Sequence, residues 1–416
     1  MLFKKLLLAI IFGGVFLSGP GRAQTPRAVL YASAGAELTQ YDVDASGASL
    51  VKKGSVRLPA NVQYAWQHPS RKYLYVAWSD GGAAAAAVGS TAPPSGKNHG
   101  VSAFRIDPGT GALQPIGKPI STAARPIHLS VDITGTHVLV AYNIPSSITV
   151  HQLNADGSIG ALVKQPSMLD TGIYAHQVRV NPSNKSVFLV TRGNGPTKAK
   201  PEDRGGVKVF SYADGVLKNL ASIAPNGGVN FQPRHLDFHP TQPWVFLSLE
   251  RQTQLQVYHM TKDGSLDDLP LFTKDSVANA ATKAPLQNSG TLHVHPNGKF
   301  LYQATRSAGS DASGKAIFGG GENSIAVWAI NPQTGEPALL QNADTHGAEP
   351  RTFALDPSAQ MLVVGNQTAV TAGAKTIPAS LAVFRVRTDG KLDFVRKYDV
   401  DTSGGSLFWM GIVPLP

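Results

Sequence analysis

The sequence predicts an all-β fold, a seven-bladed β-propeller, and three observations carry that expectation. A turn-and-strand unit recurs six times at intervals of roughly 50–65 residues, the signature of a repeat architecture. Gly (42) and Pro (29) are spread along the 416 residues rather than clustered, so turn formers punctuate many short segments. An unmatched apolar segment at the C-terminus supplies the strand that the N-terminal unit lacks.

Each unit contains a turn, at His68-Pro69-Ser70, Asp132-Ile133-Thr134, Asn181-Pro182-Ser183, His239-Pro240-Thr241, His295-Pro296-Asn297 or Asp356-Pro357-Ser358. An apolar second strand follows, as in Val187-Phe188-Leu189-Val190. The third strand alternates with period two, as in Val101-Ser102-Ala103-Phe104-Arg105-Ile106. Hairpin turns at Asp156-Gly157, Asp214-Gly215, Asp263-Gly264 and Asp389-Gly390 lead into a polar fourth strand. Residues 28–57 hold only three strands. The orphan Leu407-Phe408-Trp409-Met410-Gly411-Ile412-Val413 is expected to pair with them and close the ring, which removes exposed sheet edges. No helical period of useful length appears beyond the N-terminus.

Only 15% of residues are charged and 42% are hydrophobic, enough apolar material for a large core. Lys4 and Lys5 precede an apolar run over residues 6–17 and then small residues up to Ala23, which predicts a signal peptide over residues 1–23. The run is shorter than the ~20 residues a spanning helix needs. The expected mature chain is a single propeller domain over 24–416, periplasmic or secreted, monomeric, and free of the membrane after cleavage. The absence of Cys excludes thiol catalysis and thiolate metal sites. The net charge of +10 comes without a dense basic run interleaved with aromatics, so nucleic acid is not an expected partner. Insertions over 80–99, 193–206 and 307–323 fall between second and third strands. They should therefore emerge on one face, either walling a site or standing as plain surface loops.

First strands line the channel of a propeller, so polar residues there are informative. His176, Arg234 and Arg351 stand at the same distance before their turn prolines and should converge. Arg192, Glu250, Arg306 and Gln367 follow the second strands of successive units. A His, a Glu and several Arg brought together suit proton transfer beside a stabilised anion. His176 or Glu250 can move protons, and Arg234 and Arg306 can hold the anion or a carboxylate. Glu250 either activates water or orients an arginine. Arg234 and Glu250 could equally form a structural ion pair. His235 and His293 read more simply as strand residues hydrogen-bonded between blades, and His68, His239 and His295 as turn residues. No phosphate-cradling glycine loop, zinc motif or nucleophile elbow is present, and no carboxylate cage for a metal.

From residue 27 onward the chain resembles the seven-bladed lactonase family, which includes bacterial propeller-type 6-phosphogluconolactonases and the fungal carboxymuconate lactonizing enzyme. The resemblance rests on Pro233-Arg234-His235 with Glu250, Leu292-His293 with Arg306, Pro350-Arg351 with Gly365-Asn366-Gln367, and the closing Leu407-Phe408-Trp409. It implies a lactone hydrolase; no cofactor is expected, and the residues favour no metal, although propellers often hold a divalent ion in the channel. His176, Glu250, Arg234 and Arg306 would be catalytic, and Arg192, His235, His293, Arg351 and Gln367 would bind a small lactone or carboxylate. Thr291 departs from the pattern, standing where family members often carry an acid. Two other readings remain open: a muconate-type cycloisomerase on the same fold, and a propeller that binds a ligand or protein without catalysis. A redox quinoprotein is disfavoured, since five Trp show no repeated docking motif.

Overall fold

The computed structural model describes residues 27–81, 96–310 and 316–416; the expected signal peptide and most of the 80–99 insertion lie outside them. The strands form seven sheets, numbered here as blades 1–7. Six sheets have four antiparallel strands, and blade 6 adds a ribbon to its four. The inner strands are Met410–Pro414 (blade 1), Asn61–Gln67, Pro126–Val131, Ala175–Val180, Pro233–Phe238, Gln287–Val294 and Pro350–Leu355 (blade 7). From blade 2 through blade 7 and on to blade 1, each lies against its successor. Outside the strands, the only helical segments among the described residues are two short 3-10 turns, Pro225–Gly228 and Ala280–Thr282.

Blade 1 takes its inner strand from the far end of the chain. Ala28 pairs with Pro414 and Ala32 with Met410, so the first and last strands share one sheet. That strand starts later than the sequence pattern indicated. Leu407, Phe408 and Trp409 precede it as irregular backbone, anchored where Ser33 Oγ accepts from Trp409 N and donates to Trp409 O, both at 3.0 Å.

Alternating apolar residues give each sheet two buried faces, and the core is correspondingly divided among the blade interfaces. Each of seven clusters joins two neighbouring blades, as Val29 and Tyr31 meet Leu74 and Val76, or Leu30 and Ala32 meet Met361 and Val363. Buried tyrosines add directional ties. Tyr75 Oη donates to Gly157 O of the next blade at 2.9 Å, and Tyr302 Oη to Gly390 O at 2.9 Å. Gly157 has φ 85°, and a Cβ there would stand 2.5 Å from the Tyr73 ring, so the hairpin admits only glycine.

The turn residues fold their own turns. Asp132 Oδ1 accepts from Thr136 N and His137 N, and His239 Nδ1 accepts from Thr241 N and Gln242 N. His239 Nε2 also meets Gly298 O of blade 6 at 2.9 Å, and His68 Nε2 meets Gly135 O of blade 3 at 2.8 Å. These histidines, with His295, serve the turns as expected. A ribbon was not foreseen. The long strand Phe300–Ser310 runs past blade 6 to pair with Ala316–Phe318, which meets a blade 7 hairpin, Val370–Ala372 and Lys375–Ile377, at Ile317 and Thr371. The 307–323 insertion thereby spans two blades.

Truncation after Gly405 strips blade 1 of its inner strand and leaves Ala28–Ala34 as an unpaired edge. The expected outcome is a protein that aggregates and loses its cooperative thermal transition. A soluble truncated chain melting near the full-length value would contradict this.

Candidate active site

The side chains that converge at one end of the inner strands are aimed there by a repeated backbone irregularity. Register shifts between Val62 and Tyr64, Pro126 and His128, Ala175 and Gln177, Pro233 and His235, Ser289 and Leu292, and Pro350 and Thr352. Each shift is a β-bulge, which inserts an extra residue and re-aims its side chain. The extra residues are Gln63, Ile127, His176, Arg234, the pair Gly290-Thr291, and Arg351. The proline spacing common to His176, Arg234 and Arg351 is therefore the spacing of a bulge. Beside them, Arg192, Glu250 and Gln367 sit one residue past their second strands. Their N–H groups donate to Tyr174 O, Gln232 O and Glu349 O, just before the inner strands. Arg306 holds the matching place in blade 6, opposite Asn288.

These two sets meet around one carboxylate. Glu250 is 2% exposed. Its Oε2 accepts from Arg192 Nη1 at 2.8 Å and its Oε1 from Arg306 Nη2 at 2.6 Å. Arg234 Nε lies 3.2 Å from Oε1, an ion pair whose angle falls short of a hydrogen bond. Arg306 Nη1 also donates to Glu349 Oε2 at 3.2 Å, and Arg192 stacks 4.1 Å over the Tyr174 ring. Burial alone would raise the Glu250 carboxyl, but the three guanidiniums hold it far below the usual carboxylate range. With both oxygens already accepting from guanidiniums, it is poorly placed to take a proton from water. Of the two roles left open for it, the geometry favours orienting arginines. Burial, followed by Arg306, lowers Arg234 to about 10.

His176 is 6% exposed, and its Nδ1 has no hydrogen-bond partner among the described residues. Burial first, then Arg234, Arg351 and Arg192, push it well below the ordinary imidazole value, so it is neutral. Its ring stands 5.2 Å from that of His235, which meets His128 at 5.8 Å, and His128 lies 3.9 Å from Tyr64. This layer of rings floors the cluster. His293 lies one layer further along the inner strands, 3.8 Å from Asp237 and packed on Phe353, where Asp237 also pairs with Arg179 at 3.0 Å. It still acts electrostatically on His235 of the ring layer. Gln367 sits at the rim: its carbonyl accepts from Leu407 N, and its Oε1 has no partner among the described residues. Thr291, where an acid was expected from the resemblance, donates to Arg351 O at 3.0 Å. Glu349 is the second acid at the cluster.

Sequence reasoning passed over Glu349, Arg125, His128 and Tyr64. One signal was available, since Arg125-Pro126, Gln232-Pro233 and Glu349-Pro350 repeat at the entry to an inner strand. Among the described residues, no group of three or more His, Cys, Asp or Glu is placed to hold a metal.

The family model of the seven-bladed β-propeller lactonases matches residues 28–404. The chain belongs to this lactonase family. At family level it is a lactone hydrolase, acting on a small-molecule lactone. A 6-phosphogluconolactonase of Bacillus subtilis is 27% identical to this lactonase over 274 residues, 64% of this chain and 70% of its own length. A Formosa agariphila 6-phosphogluconolactonase is 26% identical over 309 residues, 72% and 76% of the two chains. The solved structure of a periplasmic gluconolactonase from Pseudomonas aeruginosa has a TM-score of 0.69 at 22% identity, covering 94% of this chain and 100% of that one; it shares the fold.

Glu250→Gln leaves the surrounding guanidiniums without their shared counter-charge, and urea unfolding should show a loss of about 3–5 kcal/mol at pH 7. The folded carboxyl is depressed, so its stabilisation is present above the unfolded value of about 4.3 and fades as pH falls below it. The gap between wild type and variant should narrow in acid; a gap independent of pH would contradict this account.

Proposed function

We propose that this lactonase opens a sugar lactone or a related lactone at the pole of its channel, with His176 moving the proton. The observation that carries the reading is a neutral, unpartnered His176 Nδ1 beside guanidiniums already fixed by an ionised glutamate. In this reading His176 takes a proton from water as its oxygen attacks the lactone carbonyl. Arg234 stabilises the resulting oxyanion, since its Nη1 has no partner among the described residues. The ring C–O bond then breaks, and His176 returns the proton to the departing alkoxide, releasing a hydroxy acid. Glu250 stays ionised throughout and holds Arg192, Arg234 and Arg306 in place. The B. subtilis and F. agariphila relatives support a gluconolactone-type substrate, and 6-phosphogluconolactone is one member of that class.

We also place the mature protein in the periplasm or outside the cell. The charged and apolar pattern of residues 1–23 and the likeness to a periplasmic gluconolactonase support this. On a muconate-type acid the same groups would serve a different step, in which a carboxylate oxygen adds across a C=C bond and a proton goes to the neighbouring carbon, so the assay needs both hydrolysis and ring closure.

Acid release by the purified mature protein from a panel of glucono-, galactono- and muconolactones should exceed background clearly. His176→Asn should lower kcat by about 10²–10⁴-fold while its melting temperature stays near wild type. Ring closure without any hydrolysis would replace the reading with a cycloisomerase, and silence in both directions would leave a binding scaffold. The depressed His176 predicts that activity persists below pH 6.5 and falls only as the imidazole finally protonates.

A further inference from the structure

A cleft of about 500 Å³ borders the Glu250 cluster, between the 193–206 insertion of blade 4 and the turn after the second strand of blade 5. Small-molecule sites commonly fall in this size range. The chain joins its walls to the cluster. The insertion starts after Arg192, Arg251 and Gln252 follow Glu250 directly, and Gln232 stands two residues before Arg234. Gln232 O also accepts from Glu250 N at 2.8 Å.

Both walls are braced. Gly205 N donates to Gly228 O at 3.1 Å, Arg204 Nη1 to Gly227 O at 3.0 Å, and Asn230 N to Glu202 Oε1 at 2.9 Å. Lys283 fixes the opposite side, its Nζ donating to Arg251 O at 2.9 Å and to Gln252 O at 3.2 Å. Of the two readings open for this insertion, a wall or a plain surface loop, these contacts favour the wall.

What the walls leave unmatched points to the occupant. Gln232 is 2% exposed, yet its side-chain amide makes no hydrogen bond among the described residues. Gln252 Oε1 is buried without a partner as well. The Arg251 guanidinium lies over Gly195, where a Cβ would come within 2.1 Å of Nη1, and it too is unpaired among the described residues. Buried polar atoms left unmatched cost free energy, which a ligand that satisfies them offsets. An amide presents donors beside an acceptor, and a hydroxyl answers both. A carboxylate only accepts, and here it would meet Glu202 on the same lining. The Lys283 ammonium is already engaged with two carbonyls. Pro196 and Pro201 add apolar surface on which the C–H face of a ring can pack. Amides, one acid, one free guanidinium and two prolines suit a neutral, hydroxyl-rich ring better than an anion.

We infer that this cleft is a subsite for a neutral sugar ring carried by the lactone, so that the preferred substrate is the lactone of a disaccharide acid. This rests on the lactone-hydrolase reading and deepens it. The lactone ring occupies the pole beside His176 and Arg234, and its glycosyl substituent extends past Gln232 into the cleft. Gln232, Gln252 and Arg251 bind its hydroxyls and determine specificity without touching the reacting ester.

The test uses the ring-opened acids, so it needs no turnover. Calorimetry compares D-gluconate with cellobionate, maltobionate and melibionate, which add a second ring through three different linkages. Wild type, Arg251→Ala and Gln252→Leu are each measured. Wild type should bind at least one disaccharide acid about tenfold more tightly than gluconate, the scale of one or two net hydrogen bonds. Each substitution should remove most of that gain and leave gluconate affinity unchanged. Wild-type affinities no higher than that for gluconate with all three acids, undetectable binding included, overturn the inference even if a variant does not fold. A gain that survives both substitutions, or an equal loss for all four acids, overturns the assignment to this cleft. A gain that the variants lose, in a protein that opens no lactone, would instead overturn the hydrolase reading and leave the subsite standing.

Discussion

A carboxylate buried at the pole of a ring needs positive partners, and Glu250 finds one in each of three consecutive blades. Arg192 comes from blade 4, Arg234 from its own blade 5 and Arg306 from blade 6. The charges are tolerable only together. Three guanidiniums packed this closely repel one another, and one carboxylate without them would not stay ionised at this depth. The network thus couples the packing of three blades to the position of the groups that would meet a substrate. Glu349 extends it from Arg306 toward blade 7, and Asn323 Oδ1 ties the backbone N–H groups of Ser307 and Glu349 together at 3.0 and 2.9 Å.

The convergence itself is a backbone property. A regular inner strand would send alternate side chains to the channel and to the neighbouring blade. The bulge at the start of each of six inner strands breaks that alternation and turns one additional side chain toward the pole. The same position is filled by His176, Arg234 and Arg351 where charge or proton transfer is wanted, and by Ile127 where it packs near Phe408. Repetition of the unit supplies the geometry, and variation of one residue per unit supplies the chemistry.

Much of this was legible beforehand. The turn residues, the Asp-Gly hairpins and the pairing of the terminal strand follow from local rules, because turn chemistry and period-two alternation depend on neighbours in the chain. His68, His239 and His295 fell into turns for that reason. The grouping of His176, Glu250, Arg234, Arg306, Arg192 and Arg351 was also readable, since equivalent positions of a repeat occupy equivalent places around an axis. Other placements were decided by distances across the ring. His293 sits three residues before its turn proline, like Asp237, and its ring meets that carboxylate. Glu349 and Arg125 stand just outside their strands, where no alternation marks them.

The repeat, its seven-fold count and the residue types at each repeated position could be read from the chain, because those are properties of spacing along it. What those residues are to one another came from the fold. Whether Glu250 is a base or an anchor depends on how many guanidiniums surround it. Whether His176 is charged depends on burial and on arginines drawn from other blades. That Gln63 should hold Arg125 across blades 2 and 3 is invisible in the chain. Charge states are set by neighbours in space, and the propeller brings those neighbours together from positions hundreds of residues apart.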